Sequence, residues 1–302
     1  MADSGILQQA LSISPCSAGE ATHFALCNGG QMRYLVSLHR GAVSRLVRNV
    51  AAYGTKLRWL MRLLPLLPWR LLQAAHLGCY VRAVLHPELQ KLTAAGTGWN
   101  LLVGTYDERQ KLVLQYPSPE GERCLFAKIG NAASAPQMEA EIDFLRRPHG
   151  QERSFRVPEI AGSSLMKEGA AFNVLITKEF SGTRIPAELT PDIYAIYREV
   201  SGEPQLREGE LLSFSHGDFT PWNLRREERG YTLFDWEHCG LRPVGYDLLY
   251  YAVMLEIVFR HRRFEEAYAA ALSEVRRFEP EFTMDKERFY ALFSSVIKQL
   301  QY

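Results

Sequence analysis

One stretch constrains this chain more than any other: Ser215-His216-Gly217-Asp218-Phe219-Thr220-Pro221-Trp222-Asn223, followed by Leu233-Phe234-Asp235-Trp236-Glu237. Asn223–Glu228 reads as a strand, Arg229-Gly230 as a turn, and Tyr231–Trp236 as a returning strand. Such a hairpin sets Asn223 and Asp235 side by side at its open end. Two oxygen ligands converging there suit a hard, octahedral cation such as Mg²⁺, which keeps waters and completes its shell with phosphate oxygens. Asp218 and Asn223 stand in the order D-x-x-x-x-N.

That order is the spacing of a kinase catalytic loop, in which the Asp accepts the substrate hydroxyl proton and the Asn holds a metal ion. His216-Gly217-Asp218, Asn223 at the right offset, and a strand ending Asp235-Trp236-Glu237 together resemble the aminoglycoside phosphotransferase and choline kinase-like group. That group lies within the protein-kinase-like fold. The resemblance covers about residues 98–260. It implies an α+β, two-lobed protein-kinase-like fold: an antiparallel N-lobe sheet of five strands with one key helix, and a mainly helical C-lobe. A basic N-terminal extension precedes them. The expected divisions are residues 1–95 for the extension (a hairpin and helices), 96–180 for the N-lobe and 181–302 for the C-lobe.

The N-lobe expectation rests on three strand-like runs, Leu101–Gly104, Lys111–Tyr116 and Arg123–Ile129, joined by turn-rich connections. Lys128 ends the third. In the family pattern a lysine here pairs with the α- and β-phosphates of ATP. A helix over Gln137–Arg147 follows, and a family kinase needs one Glu on it to hold that lysine. Glu141 fits best, because Ile142 and Leu145 would share the buried face; Glu139 is the alternative. The first turn, Gly104–Gln110, occupies the place of the phosphate-covering loop but does not match G-x-G-x-x-G. Gly104 permits close backbone approach and the Thr105 hydroxyl can donate to a phosphate. Gly96-Thr97-Gly98 is a rival for the same role.

Phe172–Phe180 reads as a strand leading to a hinge at Ser181-Gly182, and Thr190–Val200 as a short helix. His216 is expected to anchor the catalytic loop through hydrogen bonds. Gly217 stands where many protein kinases carry the Arg that meets a phosphorylated activation loop, and no Ala-Pro-Glu follows Asp235. Both features argue against a regulated protein kinase. Glu237 has two readings, as a second metal contact or as a brace of the hairpin. Asp247 is read as a structural N-cap of the next helix. Helices are expected over Leu248–Arg260, Phe264–Phe278 and Asp285–Gln301.

Charge is unevenly spread. The net charge is +1, yet residues 1–87 sum to +7 and the remainder to −6. An anionic neighbour for the front segment is implied: a membrane surface, a nucleic acid or the acidic remainder of the chain. His23–Leu38 reads as a hairpin turning at Asn28-Gly29-Gly30, and Val43–Tyr53 as a short basic helix. Leu57–Val84 is apolar with regular cations, interrupted by Pro65 and Pro68. It packs on the N-lobe, or lies on anionic lipid through residues 33–82. No run is long enough to span a bilayer, and no nucleic-acid module is recognisable. The five cysteines form no C-x-x-C pair and suit a reduced, cytoplasmic protein, peripheral to the inner face of a membrane in the second reading.

The reading from sequence is therefore ATP- and Mg²⁺-dependent phosphoryl transfer to the hydroxyl of a small molecule. An aminoglycoside acceptor would need a ring of carboxylates. The C-lobe is only mildly acidic, so a sugar or a polysaccharide- or lipid-linked hydroxyl is favoured. A pseudokinase scaffold and a protein-directed kinase or nucleotidyl transferase are the alternatives.

Overall fold

The structure, a computed structural model, describes residues 5–28, 30–39, 68–94, 97–120, 123–148, 153–180 and 182–300. The expected basic helix Val43–Tyr53, the Leu57–Pro65 run, Gly29, Gly96 and Ser181 lie outside them. The chain forms two compact units. The first is Met1–Ile142 with Pro158–Phe180; the second is Asp143–Val157 with Ser181–Tyr302.

The first unit is built on nine strands, all paired antiparallel: β1 (Leu11–Pro15), β2 (His23–Asn28), β3 (Gln31–Ser37), β4 (Gly78–Leu85), β5 (Asn100–Val103), β6 (Lys111–Pro117), β7 (Cys124–Gly130), β9 (Ile160–Ser164) and β10 (Asn173–Lys178). The intervening β8 (Phe155–Arg156) belongs to the second unit. The order across the sheet is β1-β4-β2-β3-β5-β6-β7-β10-β9. Helix α1 (Ala135–Leu145) follows β7. Leu35, Leu101, Leu112, Leu114, Ala127 and Ile129 are fully buried at its core.

Two expectations change here. The sheet has nine strands, because four come from the segment set apart as an extension. No boundary falls at residue 95: Tyr34 pairs with Leu102 and Leu35 with Leu101, so β3 and β5 are neighbours in one sheet. Buried polar groups set that seam. Asn100 accepts a hydrogen bond from the Ser37 amide at 3.1 Å and donates to Gln115, its cross-strand partner, at 2.9 Å. A buried amide pair of this kind is satisfied in one register only.

The second change is at Gly78–Leu85, which is a strand and not a continuation of a helical or interfacial segment. Val81, Ala83 and Leu85 are buried while Arg82 and Val84 are exposed. That alternation has period two, the pleat of a strand. Helix survives only at Trp69–Ala74 in the described part of that region. Among the described residues no helix is long and apolar enough to cross a membrane.

The second unit contains α2 (Pro191–Ser201), α3 (Tyr246–Met254), α4 (Phe264–Val275) and α5 (Lys286–Leu300). Two small sheets join them. One runs β11-β14-β15-β8, with β11 (Thr183–Arg184), β14 (Leu224–Glu227) and β15 (Gly230–Leu233); the other runs β12-β13-β16, with β12 (Gln205–Arg207), β13 (Glu210–Ser215) and β16 (Gly240–Pro243). The β14–β15 pair is the expected hairpin, shorter at its open end by one residue on the first strand and three on the second, and its turn falls at Glu228-Arg229 in place of Arg229-Gly230. Thr190 caps α2, its hydroxyl accepting from the Ile193 amide at 3.3 Å.

His23, on β2, is buried between Trp99 and Thr22. Its Nε2 faces the Trp99 carbonyl at 3.1 Å and its Nδ1 the Thr22 hydroxyl at 2.9 Å. Burial pushes its pKa down to about 4, against 6.5 ordinarily. The folded ring is therefore neutral where the unfolded ring takes up a proton. Stability is complete above 6.5 and is lost as the pH falls from there toward 4. Between pH 7 and pH 5 this residue should cost about 2 kcal/mol. Denaturant titrations should show wild type losing that much more stability over the interval than His23→Gln; equal losses would refute the assignment.

Candidate active site

In the first unit, Lys128 lies on β7, an inner strand with β6 and β10 on its two sides. It opposes Val113 and Leu175. Its ammonium meets Glu141 Oε2 at 2.6 Å, with the lysine side chain 17% exposed and the glutamate 5%. Glu139, the alternative partner, bonds instead to Lys167 at 2.7 Å on the surface. The helical period decides between them: Met138, Glu141, Ile142 and Leu145 share the buried face of α1. A pair this enclosed is sensitive to loss of one partner, which strands a charge out of water.

The Gly104–Gln110 turn closes β5 onto β6. The Gly104 amide donates to the Lys111 carbonyl at 2.9 Å, and an added Cβ would stand 2.6 Å from that oxygen. Glycine is needed there for close backbone approach. Thr105 is exposed. Gly98 is also tightly placed, since a Cβ on it would lie 2.6 Å from His39 Cβ.

In the second unit, β13 delivers the loop. Its last residue is Ser215, and the next three are His216, Gly217 and Asp218. Gly217 has φ +85°, and a Cβ there would lie 2.2 Å from the His238 carbonyl oxygen. Only glycine fits. The buried carboxylate of Asp247 accepts from Ser215 Oγ at 2.7 Å, the His216 amide at 2.6 Å and the Gly217 amide at 3.0 Å. Asp247 is thus structural, as read, but its role differs: Gly245 occupies the cap position of α3, and Asp247 ties the loop down.

His216 anchors the loop as expected. Burial lowers its pKa and favours a neutral ring. In that form Nε2 donates to the Phe234 carbonyl at 3.1 Å while Nδ1 accepts from the Asp218 amide at 3.2 Å. The ring packs against Trp236 at 4.5 Å. Trp236 is fully buried, stacked on Phe144 at 3.9 Å, and its indole donates to the Leu233 carbonyl at 2.9 Å. The hairpin and the loop therefore share one aromatic foundation.

Asn223 ends a single 3₁₀ turn, Pro221–Asn223. Its side-chain nitrogen donates to Asp218 Oδ2 and to the Asp218 carbonyl, each at 2.9 Å. That leaves the amide oxygen as the atom able to meet a cation. The Phe234 amide bonds to the Asn223 carbonyl at 3.1 Å, which extends the hairpin by one rung and brings Asp235 next to Asn223. Asp235 sits at φ +70°, at the strand's end. Donor chemistry at this hairpin mouth fits Mg²⁺: one amide oxygen and one carboxylate, both hard ligands. Glu237 lies beside His238, 3.4 Å away, and raises its pKa.

Asp218 is half-buried. Its second oxygen accepts from the Tyr250 hydroxyl at 2.9 Å. Its pKa is pushed up to about 6, first by burial and then by the charge of Asp235. Tyr250 and Asp247 are the two site residues that motif reading did not assign correctly. Both lie on α3, where every residue from Tyr246 to Met254 is buried, so no amphipathic stripe marks which side chains face the loop.

The family described as "Phosphotransferase enzyme family" matches residues 203–290. The matched span contains Asp218, Asn223, Asp235 and Asp247; Lys128 and Glu141 lie outside it. No curated protein matches the chain. Among solved structures, an aminoglycoside-3'-phosphotransferase of type VIII has 16% identity and a TM-score of 0.45, covering 68% of this chain and 96% of that one. A microcompartment-associated aminopropanol kinase has 12% identity and a TM-score of 0.39, covering 70% and 94%. A choline/ethanolamine kinase family protein from Mesorhizobium loti has 13% identity and a TM-score of 0.31, covering 72% and 90%.

Within the matched segment, Asp247 supports the loop through three hydrogen bonds. Asp247→Ala should destabilise the protein by about 3 kcal/mol, since it removes a charged acceptor and leaves buried amides unpaired. Chemical denaturation measures this. A loss under about 1 kcal/mol would show that the loop holds its shape without the carboxylate.

Proposed function

We propose that this protein is an ATP- and Mg²⁺-dependent kinase that phosphorylates a hydroxyl of a small molecule. The observation that carries the reading is the half-buried carboxylate of Asp218. It is oriented by Asn223 in a D-x-x-x-x-N loop and backed by an Asp235 hairpin. Lys128, fixed by Glu141, takes the phosphates of the nucleotide. The Gly104–Thr105 turn covers them, with Thr97-Gly98 as the rival segment. Held by Asn223 and Asp235, Mg²⁺ would neutralise charge on the phosphate oxygens.

Asp218 accepts a hydrogen bond from the acceptor hydroxyl and so turns the hydroxyl oxygen toward the γ-phosphorus. As the new O–P bond forms and the bond to the β–γ bridging oxygen breaks, ADP leaves and the hydroxyl proton passes to Asp218. This work is mostly positioning and electrostatics.

A sugar, or a polysaccharide- or lipid-linked hydroxyl, is the favoured acceptor over an aminoglycoside. A cation borders the loop: the Arg242 guanidinium approaches Gly217. Such a neighbour does not suit a polycation. The charge of +7 over residues 1–87 suits contact with an anionic surface, and hence a cytoplasmic protein that visits the inner face of a membrane. Deleting residues 1–95 would remove four strands of the sheet. The membrane reading is therefore tested on the full chain, by flotation with anionic and neutral vesicles; equal recovery from both would end it.

Turnover of Mg·ATP should be measured across sugars, amino alcohols, aminoglycosides and nucleosides. Asp218→Asn should lower acceptor-dependent turnover by about 10²- to 10⁴-fold and leave the thermal shift with Mg·ATP in place. Undiminished turnover in the variant would overturn the role of Asp218. A thermal shift without turnover on any acceptor would favour a nucleotide-binding scaffold. Phosphate or nucleotide adducts on protein substrates would favour a protein-directed transferase.

A further inference from the structure

Asp218 has two carboxylate oxygens, and each meets a different donor. Oδ2 accepts from Asn223 and Oδ1 from the Tyr250 hydroxyl, both at 2.9 Å. Asn223 belongs to the same loop. Tyr250 does not: it comes from the middle of α3, a buried helix that also carries Asp247. We propose that Tyr250 is a positioning residue for Asp218, its hydroxyl fixing the plane of the carboxylate that receives the acceptor's proton. The inference rests on the kinase reading of the same site.

Three observations support it. The Tyr250 ring is about 1% exposed and is held by neighbours on two elements. Phe293 meets it edge-on at 5.2 Å, and Tyr246 lies at 5.6 Å. The hydroxyl therefore has a fixed place from which to donate. Its pKa lies well above the ordinary value, raised by burial and then by Asp218, so it is a donor across the working range of pH. The third observation is the shared helix. Asp247 holds the loop backbone from the first turn of α3, and Tyr250 holds the side chain from the next turn. Residues three apart lie on one helical face. One rigid element thus sets both the loop and the direction of its carboxylate.

The geometry also has a chemical consequence. Terminal torsions of carboxylates are broad, so a single donor on Oδ2 would leave the group free to swing about that contact. A second donor on Oδ1 removes the swing. Each oxygen keeps a further lone pair for the acceptor hydroxyl. Loss of the tyrosine hydroxyl should therefore misplace the base without touching the nucleotide contacts.

The test is Tyr250→Phe in the full chain, beside wild type and Asp218→Asn. The probe is Mg·ATP turnover, with water as acceptor and with the best alcohol of the panel. The expected result is a fall in kcat of about 10- to 100-fold, a KM for ATP within twofold of wild type, and an unchanged melting temperature. Tyr250→Met, which also lacks the hydroxyl, should repeat this split and serves if the Phe variant does not fold. Unchanged kcat in a folded variant, with Asp218→Asn inactive, overturns the inference and leaves the kinase reading standing. A parallel rise in KM for ATP also overturns it, because the defect would then be general. Full activity in Asp218→Asn overturns both.

Discussion

The buried carboxylate of Asp247 is the interaction on which the site depends. A strand that ends in a tight loop leaves backbone amides without partners, and buried amides must be paired. Asp247 pairs two of them, on His216 and Gly217, and takes the Ser215 hydroxyl as well. Burying an anion costs free energy unless it is satisfied by donors. Three donors and the N-terminal end of α3, where the helix dipole favours negative charge, offset that cost. The loop is then held at its root, and Asp218 follows it by one residue. His216, with both ring nitrogens engaged, couples the same loop to the hairpin that carries Asp235.

Much of this second unit was legible because it is local. D-x-x-x-x-N is a short-range pattern, and so is a hairpin near Gly230, although the turn falls at Glu228-Arg229 and Gly230 already pairs with Glu227, one residue from the Arg229-Gly230 turn expected. The choice of Glu141 over Glu139 was legible for a related reason: helical periodicity places one Glu on the buried face and the other on the surface. Asp247 and Tyr250 were harder. The helix that carries them is apolar on every side, so its sequence does not say which face meets the loop. A carboxylate near a helix start looks like a cap by local rules. Its true partners lie thirty residues upstream, and only packing brings them together.

The front of the chain failed for another reason. Cations at Arg70 and Arg82 within an apolar stretch suggested a basic helix. In β4 the alternation of buried Val81, Ala83 and Leu85 with Arg82 and Val84 has the strand period, yet it spans few residues and follows a proline-broken run. Pairing across the sheet, with β1 on one side and β2 on the other, decides the outcome. Non-local hydrogen bonds of this kind are not encoded in local propensity. As a result β5 is not an edge strand: β3 covers the side that β6 does not, and the Asn100–Gln115–Ser37 cluster fixes the join.

Gly217 connects this geometry to function. Its left-handed backbone and its 2.2 Å clearance from the His238 carbonyl, measured at a notional Cβ, admit no side chain. Many protein kinases place at this position an arginine that meets a phosphorylated activation loop. Here the space is closed by the backbone of the segment after Asp235, and that segment returns at once through β16 to pair with β13. A chain that pairs Ser215 with Gly240 and Phe214 with Leu241 has turned back onto the strand that leads into the loop within five residues of Asp235. It has no length left for a long regulatory excursion. The loop's shape is set by hydrogen bonds and steric contact, so in the proposed kinase no covalent modification is needed to form it.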